Sequence, residues 1–240
     1  MVKGTIAMAI VQETEVQRGS QMPFLVRPMS FADIPQVEEI EREAFPTVWP
    51  PTSFPREMDN RLARYLVVCD AVEAAPNPVE SPPPALERKN DGLLRRLWPF
   101  GRPPEAEAAR PHAPSAFVAG FAGTWLMVDE AHLVAIAVRE SHKRRGLGEL
   151  LLVATIELAM QRAARELTLE VRASNRPAQL LYEKYGFHVM GVRKGYYSDN
   201  HEDAVIMTTD PIWSAAYQTE FQRLRDAFIR RRGEATRVLS

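Results

Sequence analysis

Runs of alternating or continuous apolar residues divide most of the chain into short strands and helices. Alternation over residues 167–172 predicts a strand with one apolar face, and the near-continuous apolar run 131–138 predicts a strand buried on both faces. Apolar residues at helical spacing follow Asp33 and follow Gly146, which predicts a helix after each. Strands and helices alternate, with a hairpin at each end of the ordered part, so we predict an α/β (α+β) fold with a mixed sheet of six to seven strands flanked by helices.

A change of composition suggests how the chain is organised. Residues 72–114 hold ten of the 19 prolines, and so proline-rich a stretch buries little, which predicts a disordered insertion. We expect an N-terminal tail over 1–22 and a catalytic domain over 23–211 that the insertion interrupts. An amphipathic C-terminal helix or extension is expected over 212–240. The proline-rich run 45–55 reads as irregular.

Charge and composition narrow the classes of function. Lys and Arg number 30 against 31 for Asp and Glu, so there is no global basic excess and no direct nucleic-acid partner is expected. The single cysteine, Cys69, fits a reducing compartment and reads as a packing residue rather than a nucleophile. The five histidines lack ligand spacing, so we expect no metal. No run suits a membrane span, and we predict a cytoplasmic protein.

The strongest chemical signal is a basic, glycine-containing turn, KRRGLG, between a buried strand and a helix. Gly146 and Gly148 allow a tight turn in which successive amides converge on one anion, and the helix N-terminus adds partial positive charge. A pyrophosphate needs this environment. The turn lacks the patterns of a Walker A loop and of a Rossmann glycine motif. A basic turn that binds no ligand is the alternative interpretation.

A second set of residues follows the turn. Glu170 lies on the polar face of a predicted strand, Asn175 precedes a helix near residue 177, and Tyr182 lies on that helix. Taken singly, each has an ordinary structural interpretation: a solvated charge, a helix cap and a packed tyrosine.

Taken together and in this order, the segments AIAV, RRGLG, LEVRASN, LYEKYGF, YY and EDAVIM resemble those of the GNAT N-acetyltransferases. Within that superfamily they are most similar to the bacterial enzymes that acetylate the N-terminal alanine of a ribosomal protein. The resemblance runs from residue 24 to residue 208, without the insertion. It implies a twisted, mostly antiparallel sheet whose two central parallel strands splay apart to form a slot for acetyl-CoA as co-substrate.

The resemblance also implies roles for individual residues. Glu170 matches the general base and Tyr182 the general acid, while Tyr196 and Tyr197 match the loop at the acceptor's entry. The implied cofactor-binding residues are Ile136, Ala137, Val138, Arg144, Arg145, Gly146, Leu147, Gly148, Glu149 and Asn175. The insertion and the C-terminal extension fall outside the family core. Phe45, Trp49 and Phe54 either line the acceptor groove or anchor a helix and its loop.

The activity that the resemblance implies is direct transfer of acetyl from acetyl-CoA to the N-terminal α-amine of a protein, with a ribosomal protein as the expected acceptor. An α-amine has a pKa near 8, so a modest base suffices to deprotonate it. Two alternatives stay open at this point. One is acetylation of lysine side chains or of small-molecule amines, and the other is a CoA-sensing interaction module without turnover.

Overall fold

The computed structural model describes residues 21–47, 51–74 and 116–239. Predictions for Trp49, for the tail up to residue 20 and for insertion residues 75–114 lie outside the described residues. The strands are β1 (Gln21–Pro28), β2 (Ala63–Ala74), β3 (Ala116–Leu126), β4 (Glu130–Val138), β5 (Glu166–Arg172), β6 (Phe187–Tyr197), β7 (Glu202–Thr209) and β8 (Glu234–Arg237). The helices are α1 (Ile34–Ala44), α2 (Phe54–Asp59), α3 (Leu147–Gln161), α4 (Arg176–Lys184) and α5 (Ala215–Arg232).

All eight strands form one mixed sheet in the order β6-β7-β5-β4-β3-β2-β1-β8. Only the pairs β4–β5 and β1–β8 are parallel among the described strands. The predicted fold class, with a mostly antiparallel sheet and central parallel strands, is confirmed. The sheet has one strand more than the upper end of the predicted range, because β8 joins the free edge of β1.

Helices cover both faces of the sheet, and each face has its own apolar core. On one face α1 and α2 bury Ile40 and Phe54 against Phe121 of β3. Phe54 packs edge-on against both Tyr65 and Phe121. It is therefore a core anchor, and the interpretation that it lines the acceptor groove is wrong. The short helix α2, which starts at Phe54 inside the proline-rich run, was also not predicted; proline is tolerated in its first turn.

On the other face, α3 is buried nearly all round because α5 packs over it. Ten of its residues are buried, well beyond the single apolar stripe that helical spacing predicts. Phe221, Leu224 and Phe228 of α5 belong to the same core. Arg225 of α5 and Arg237 of β8 both bond the carboxylate of Glu157 on α3. The C-terminal extension is thus an integral layer of the fold.

Three predicted boundaries move in the structure. Residues 21 and 22, expected in the tail, belong to β1, and Met22 is buried. Residues 72–74, expected in the insertion, continue β2. The extension over 212–240 continues past its helix into β8, which pairs with β1 in parallel. Each shift has the same cause: the edge of a neighbouring strand offers hydrogen bonds that local sequence patterns do not reveal.

The start of α1 is held by an ion pair. Arg27 donates two hydrogen bonds to Asp33, at 2.7 and 2.8 Å, and the amide and hydroxyl of Ser30 donate to the same carboxylate. Asp33 is buried, which opposes its ionisation, but the bonds from Arg27 and Ser30 outweigh burial and lower its pKa. This cluster fixes the helix that carries one wall of the cavity described below.

We expect Asp33→Asn to reduce the free energy of unfolding at pH 7 by about 2 kcal/mol, because Arg27 loses its charged partner. Since folding lowers the pKa of Asp33, the stabilisation is present above the unfolded value near 3.9 and is lost as the pH falls through the folded value. Urea unfolding at pH 7 and pH 3 measures both effects. Glu38→Gln, on the exposed face of α1, is the control. Equal losses for the two variants at pH 7 would contradict the assignment.

Candidate active site

A cavity of about 300 Å³ opens where β4 and β5 separate. The two strands pair only from Glu130 to Leu133 on β4, so the rest of β4 has no partner on its β5 side. The cavity is lined by Glu41, Ala44, Phe45, Thr52, Leu133, Val134, Ala135, Ile136, Leu169, Glu170, Val171, Arg172, Asn175, Tyr182 and Tyr197. The splayed parallel strands therefore form an open slot in the middle of the sheet.

A β-bulge in β4 accounts for the separation. Gly123 pairs with Ala135 and Thr124 pairs with Leu133, so Val134 is an extra residue opposite β3. A bulge bends its strand and increases the local twist, which turns β4 away from β5 after Leu133. Gly120 permits the close approach of β3, because a Cβ there would lie 2.6 Å from the carbonyl oxygen of Ala137. β3 has a bulge of its own beside Gly120, because Gly120 pairs with Val68 whereas Val118 pairs with Cys69.

Glu170 lies in the slot with both carboxylate oxygens engaged. Its Oε2 is 2.7 Å from Nε2 of His132 on β4, and its Oε1 is 3.1 Å from the guanidinium of Arg193 on β6. The Glu170 side chain is only 9% exposed. A carboxylate offers about four lone-pair directions, so each oxygen retains one for a further donor. The interpretation of Glu170 as a solvent-exposed charge on a strand is therefore wrong.

Tyr182 reaches the same cavity from α4. It is buried and packs against Phe187, with ring centroids 5.7 Å apart. Burial, and to a smaller extent the neighbouring Tyr197, raises the pKa of its hydroxyl well above the ordinary value. The phenol therefore stays protonated at any working pH and can act only as a donor or a neutral acceptor.

The two predicted entry tyrosines have different surroundings. Tyr197 lines the cavity, and the guanidinium of Arg172 lies 3.9 Å from its ring centroid. Burial raises the pKa of Tyr197 to about 12. Tyr196 is 46% exposed and lies outside the cavity lining, with its ring edge-on to Tyr197 and Arg193 over its face. Only Tyr197 faces the slot directly.

The opposite wall comes from α1 and the turn after it. Glu41 is buried, and its carboxylate accepts a hydrogen bond from the amide of Thr52. Phe45 lines the cavity, as one interpretation of the aromatic residues expected. Thr47 bonds Asp199 at 2.5 Å and so connects this wall to the turn between β6 and β7. The mouth of the slot is thus bridged by two loops that are remote in sequence.

The basic turn lies at the N-terminus of α3 with its amides free. Gly146 has φ of +88° and Arg144 has φ of +66°, which turns the backbone back on itself. Within the described part of the chain, no group accepts a hydrogen bond from the amides of residues 144–149, and the first amide bonded inside this helix is that of Leu150. Amides free of partners at a helix N-terminus suit an anionic group. The residues present therefore fit the phosphates of a CoA.

The remaining predicted cofactor residues occupy different positions. Ile136 lines the cavity, whereas Ala137 and Val138 follow it on β4 and pair with β3. Asn175 lines the cavity and caps α4 by accepting from the amide of Ala178, so its interpretation as a helix cap holds. The Glu149 side chain bonds residues on or next to α4 and α5.

Glu149 is a junction between three elements. It accepts hydrogen bonds from Lys184, from the Tyr185 hydroxyl at 2.8 Å and from Arg231 at 2.8 Å. Burial opposes its ionisation, but the bonds from Lys184 and Tyr185 outweigh burial and lower its pKa. Its role in the structure is to fix the first turn of α3.

His132, Arg193 and Glu41 belong to the site but were not found by sequence reasoning. His132 carried a signal, since it is the one histidine inside the apolar run 131–138. Arg193 and Glu41 carried none, because each lies in a run of charged or mixed residues.

Cys69 is buried in β2, and burial raises the pKa of its thiol. Its predicted role in packing agrees with this position.

Two negative findings apply to the described residues. None of their helices is long and apolar enough to cross a membrane. No three of their His, Cys, Asp and Glu side chains are grouped so as to hold a metal ion.

Comparison with known proteins agrees with this geometry. The profile of the Acetyltransferase (GNAT) family matches residues 80–187. A Bacillus subtilis protein, provisionally named a ribosomal protein bS18-alanine N-acetyltransferase, is 35% identical over 183 residues, which cover 76% of this chain and 92% of the relative. The chain belongs to the GNAT acetyltransferase family and is an N-acetyltransferase.

Two further proteins are similar to this chain, one in sequence and one in structure. The ribosomal protein bS18-alanine N-acetyltransferase of Salmonella typhimurium is 47% identical over 92 residues, which cover 38% of this chain and 62% of the relative. The crystal structure of the ribosomal-protein-S18-alanine N-acetyltransferase from Escherichia coli matches with a TM-score of 0.56 and 27% identity. That match covers 80% of this chain and 96% of the other. The fold is therefore shared with an enzyme of known structure.

Proposed function

We propose that this protein transfers the acetyl group of acetyl-CoA to the N-terminal α-amine of a protein, as its ribosomal-protein alanine N-acetyltransferase relatives are named to do. The observation that carries the proposal is that Glu170 and Tyr182 line one slot beside a turn of free amides. We place the reaction in the cytoplasm, with a ribosomal protein as the partner.

In this proposal acetyl-CoA lies along the slot, with its phosphates at the basic turn and its acetyl group near Glu170 and Tyr182. The amides of residues 144–149 would hold the pyrophosphate, and the unpaired side of β4 from Val134 to Val138 would bond the pantetheine arm. Asn175 lies on the cavity wall near the reacting end. When bound, the cofactor supplies an activated acetyl thioester.

Glu170 is the proposed general base. His132 and Arg193 hold its two oxygens in place, which leaves one lone pair of each directed at an incoming donor. The acceptor arrives as an ammonium group, and Glu170 takes the proton that must leave before or during attack, directly or through one water. His132 and Arg193 are positioning residues in this scheme.

Tyr182 is the proposed donor to the departing sulfur. An alkyl thiol such as that of cysteine has a pKa of about 8.5, and a tyrosine hydroxyl near 10 is already the weaker acid before burial raises the pKa of Tyr182 further. A hydrogen bond from Tyr182 therefore stabilises negative charge on the sulfur without full proton transfer at that moment. The final proton can come from solvent.

The mouth of the slot suits a small, positively charged chain end. Glu41 on α1 and Glu170 on β5 both line the cavity, so an α-ammonium group would find two carboxylates there. Phe45 and Tyr197 line the same cavity and add aromatic surface to it. A short first residue such as alanine is the acceptor that the names of the relatives suggest.

We expect a peptide with a free N-terminal alanine to be acetylated at least about 100-fold faster than the same peptide with a blocked N-terminus and an internal lysine. A lysine amine, with a pKa near 10.4, holds its proton more tightly and demands more of the base. Thiol release from acetyl-CoA gives the rate, and mass spectrometry of fragments gives the modified position. Preferential acetylation of the lysine would overturn the proposed acceptor. Absence of turnover on every amine would favour a sensing module.

A further inference from the structure

The last turn of α5 lies against the basic turn at the start of α3. Arg231 bonds Glu149 at 2.8 Å, which ties the two helices together at this point. A Cβ built on Gly146 would lie 3.3 Å from Nε of Arg232. The guanidinium of Arg232 is thus adjacent to the residue at which the free amides turn.

Some of the basic side chains around the turn form ion pairs with carboxylates, and others do not. Asp70 pairs with Arg145, Glu140 with Lys143 and Glu149 with Arg231. Within the described ranges no carboxylate lies in ion-pair distance of Arg144 or Arg232, and both are exposed. These two arginines are the cations at the turn that remain available to a ligand.

We propose that Arg232 forms part of the cofactor-binding site and contacts the phosphate groups of CoA. The inference rests on the proposed use of acetyl-CoA and adds a residue from the C-terminal extension, because the matched family region ends at residue 187. A guanidinium binds phosphate oxygens through paired hydrogen bonds and keeps its charge at all working pH values. The extension therefore supplies a phosphate ligand besides covering α3.

A purely structural role for Arg232 makes a different prediction. Basic residues in the last turn of a helix interact favourably with the helix dipole, and Arg230, Arg231 and Arg232 all lie there. In that case loss of Arg232 would lower stability and leave CoA affinity unchanged. Measurements of stability and of CoA affinity therefore distinguish a structural role of Arg232 from a role in CoA binding.

The test is calorimetric binding of CoA to the full chain and to three variants. We expect Arg232→Gln to weaken CoA binding about 5- to 20-fold and to reduce its dependence on salt, because one charge-assisted contact is lost. Arg232→Lys should recover part of the affinity. Arg223→Gln is the matched control: Arg223 lies on the same helix, is exposed and pairs with Glu220. It should bind CoA as the unmodified protein does.

Dephospho-CoA, which lacks the 3′-phosphate, locates the contact. If Arg232→Gln weakens both ligands equally, Arg232 contacts the pyrophosphate; if only CoA is weakened, it contacts the 3′-phosphate. Equal CoA affinity of Arg232→Gln and Arg223→Gln, with the unmodified protein binding normally, would overturn the inference alone. Failure of the unmodified protein to bind CoA would overturn the proposed function, and this inference with it. Thermal unfolding checks that each variant is folded. If Arg232→Gln does not fold, the CoA affinity of Arg232→Lys is compared with that of Arg223→Gln instead.

Discussion

Glu170→Gln is expected to lower the turnover number by about 10²–10⁴-fold and to leave the affinity for acetyl-CoA nearly unchanged. Glutamine keeps the size of the side chain, and its amide can still bond His132, whose ring nitrogen accepts or donates according to its tautomer. The variant therefore removes proton acceptance while keeping most of the packing. Steady-state kinetics on the alanine peptide and calorimetric binding of acetyl-CoA measure the two quantities.

The matched control for this prediction is Glu166→Gln. Glu166 lies on the same strand and its side chain pairs with Arg165, outside the cavity lining. It should retain the unmodified rate. A near-normal rate for Glu170→Gln would show that Glu170 is structural and that another group accepts the proton.

Tyr182→Phe belongs to the same test and should lower turnover by about 10–100-fold. The substitution removes one hydroxyl and keeps the ring that packs against Phe187. Because the hydrogen bond to sulfur matters only as charge develops there, acetyl-CoA affinity should change little. If both Glu170→Gln and Tyr182→Phe keep near-normal rates, the catalytic assignment is wrong.

Gly148→Asp is expected to weaken acetyl-CoA binding by at least about 100-fold, because a carboxylate then competes for the amides that would hold the pyrophosphate. The chain can accommodate the new side chain, since a Cβ on Gly148 meets no heavy atom within 4 Å. An acidic residue in the first turn also stabilises a helix, so the fold should remain intact. The same change at Gly146 would add backbone strain, because φ there is +88°.

Gly148→Ala is the companion variant for this prediction. It adds the Cβ without the charge, so it separates steric from electrostatic effects, and we expect a clearly smaller loss of affinity. Calorimetry with acetyl-CoA and a thermal unfolding curve for each variant complete the measurement. Unchanged affinity of a folded Gly148→Asp variant would remove the turn of residues 144–149 from the cofactor site.

Local patterns in the sequence were sufficient for most of the elements and for the chemistry of the turn. Alternation placed Glu170 on the polar face of β5, and the two glycines at the start of α3 predicted converging amides. Both features depend on residues a few positions apart, whose geometry is set by backbone periodicity. The resemblance to GNAT enzymes added the order in which these pieces combine, and with it the splayed strands.

Only the tertiary structure decided which distant residues meet. The bulge at Val134 depends on pairing with β3, and the contacts of Glu170 join β5 to His132 on β4 and to Arg193 two strands away. The C-terminal extension joins the sheet edge and brings Arg232 to Gly146, although 86 positions separate them in the chain. Such contacts follow from strand order and helix packing. These depend on many weak interactions between residues far apart in the chain, which a short stretch of sequence does not reveal.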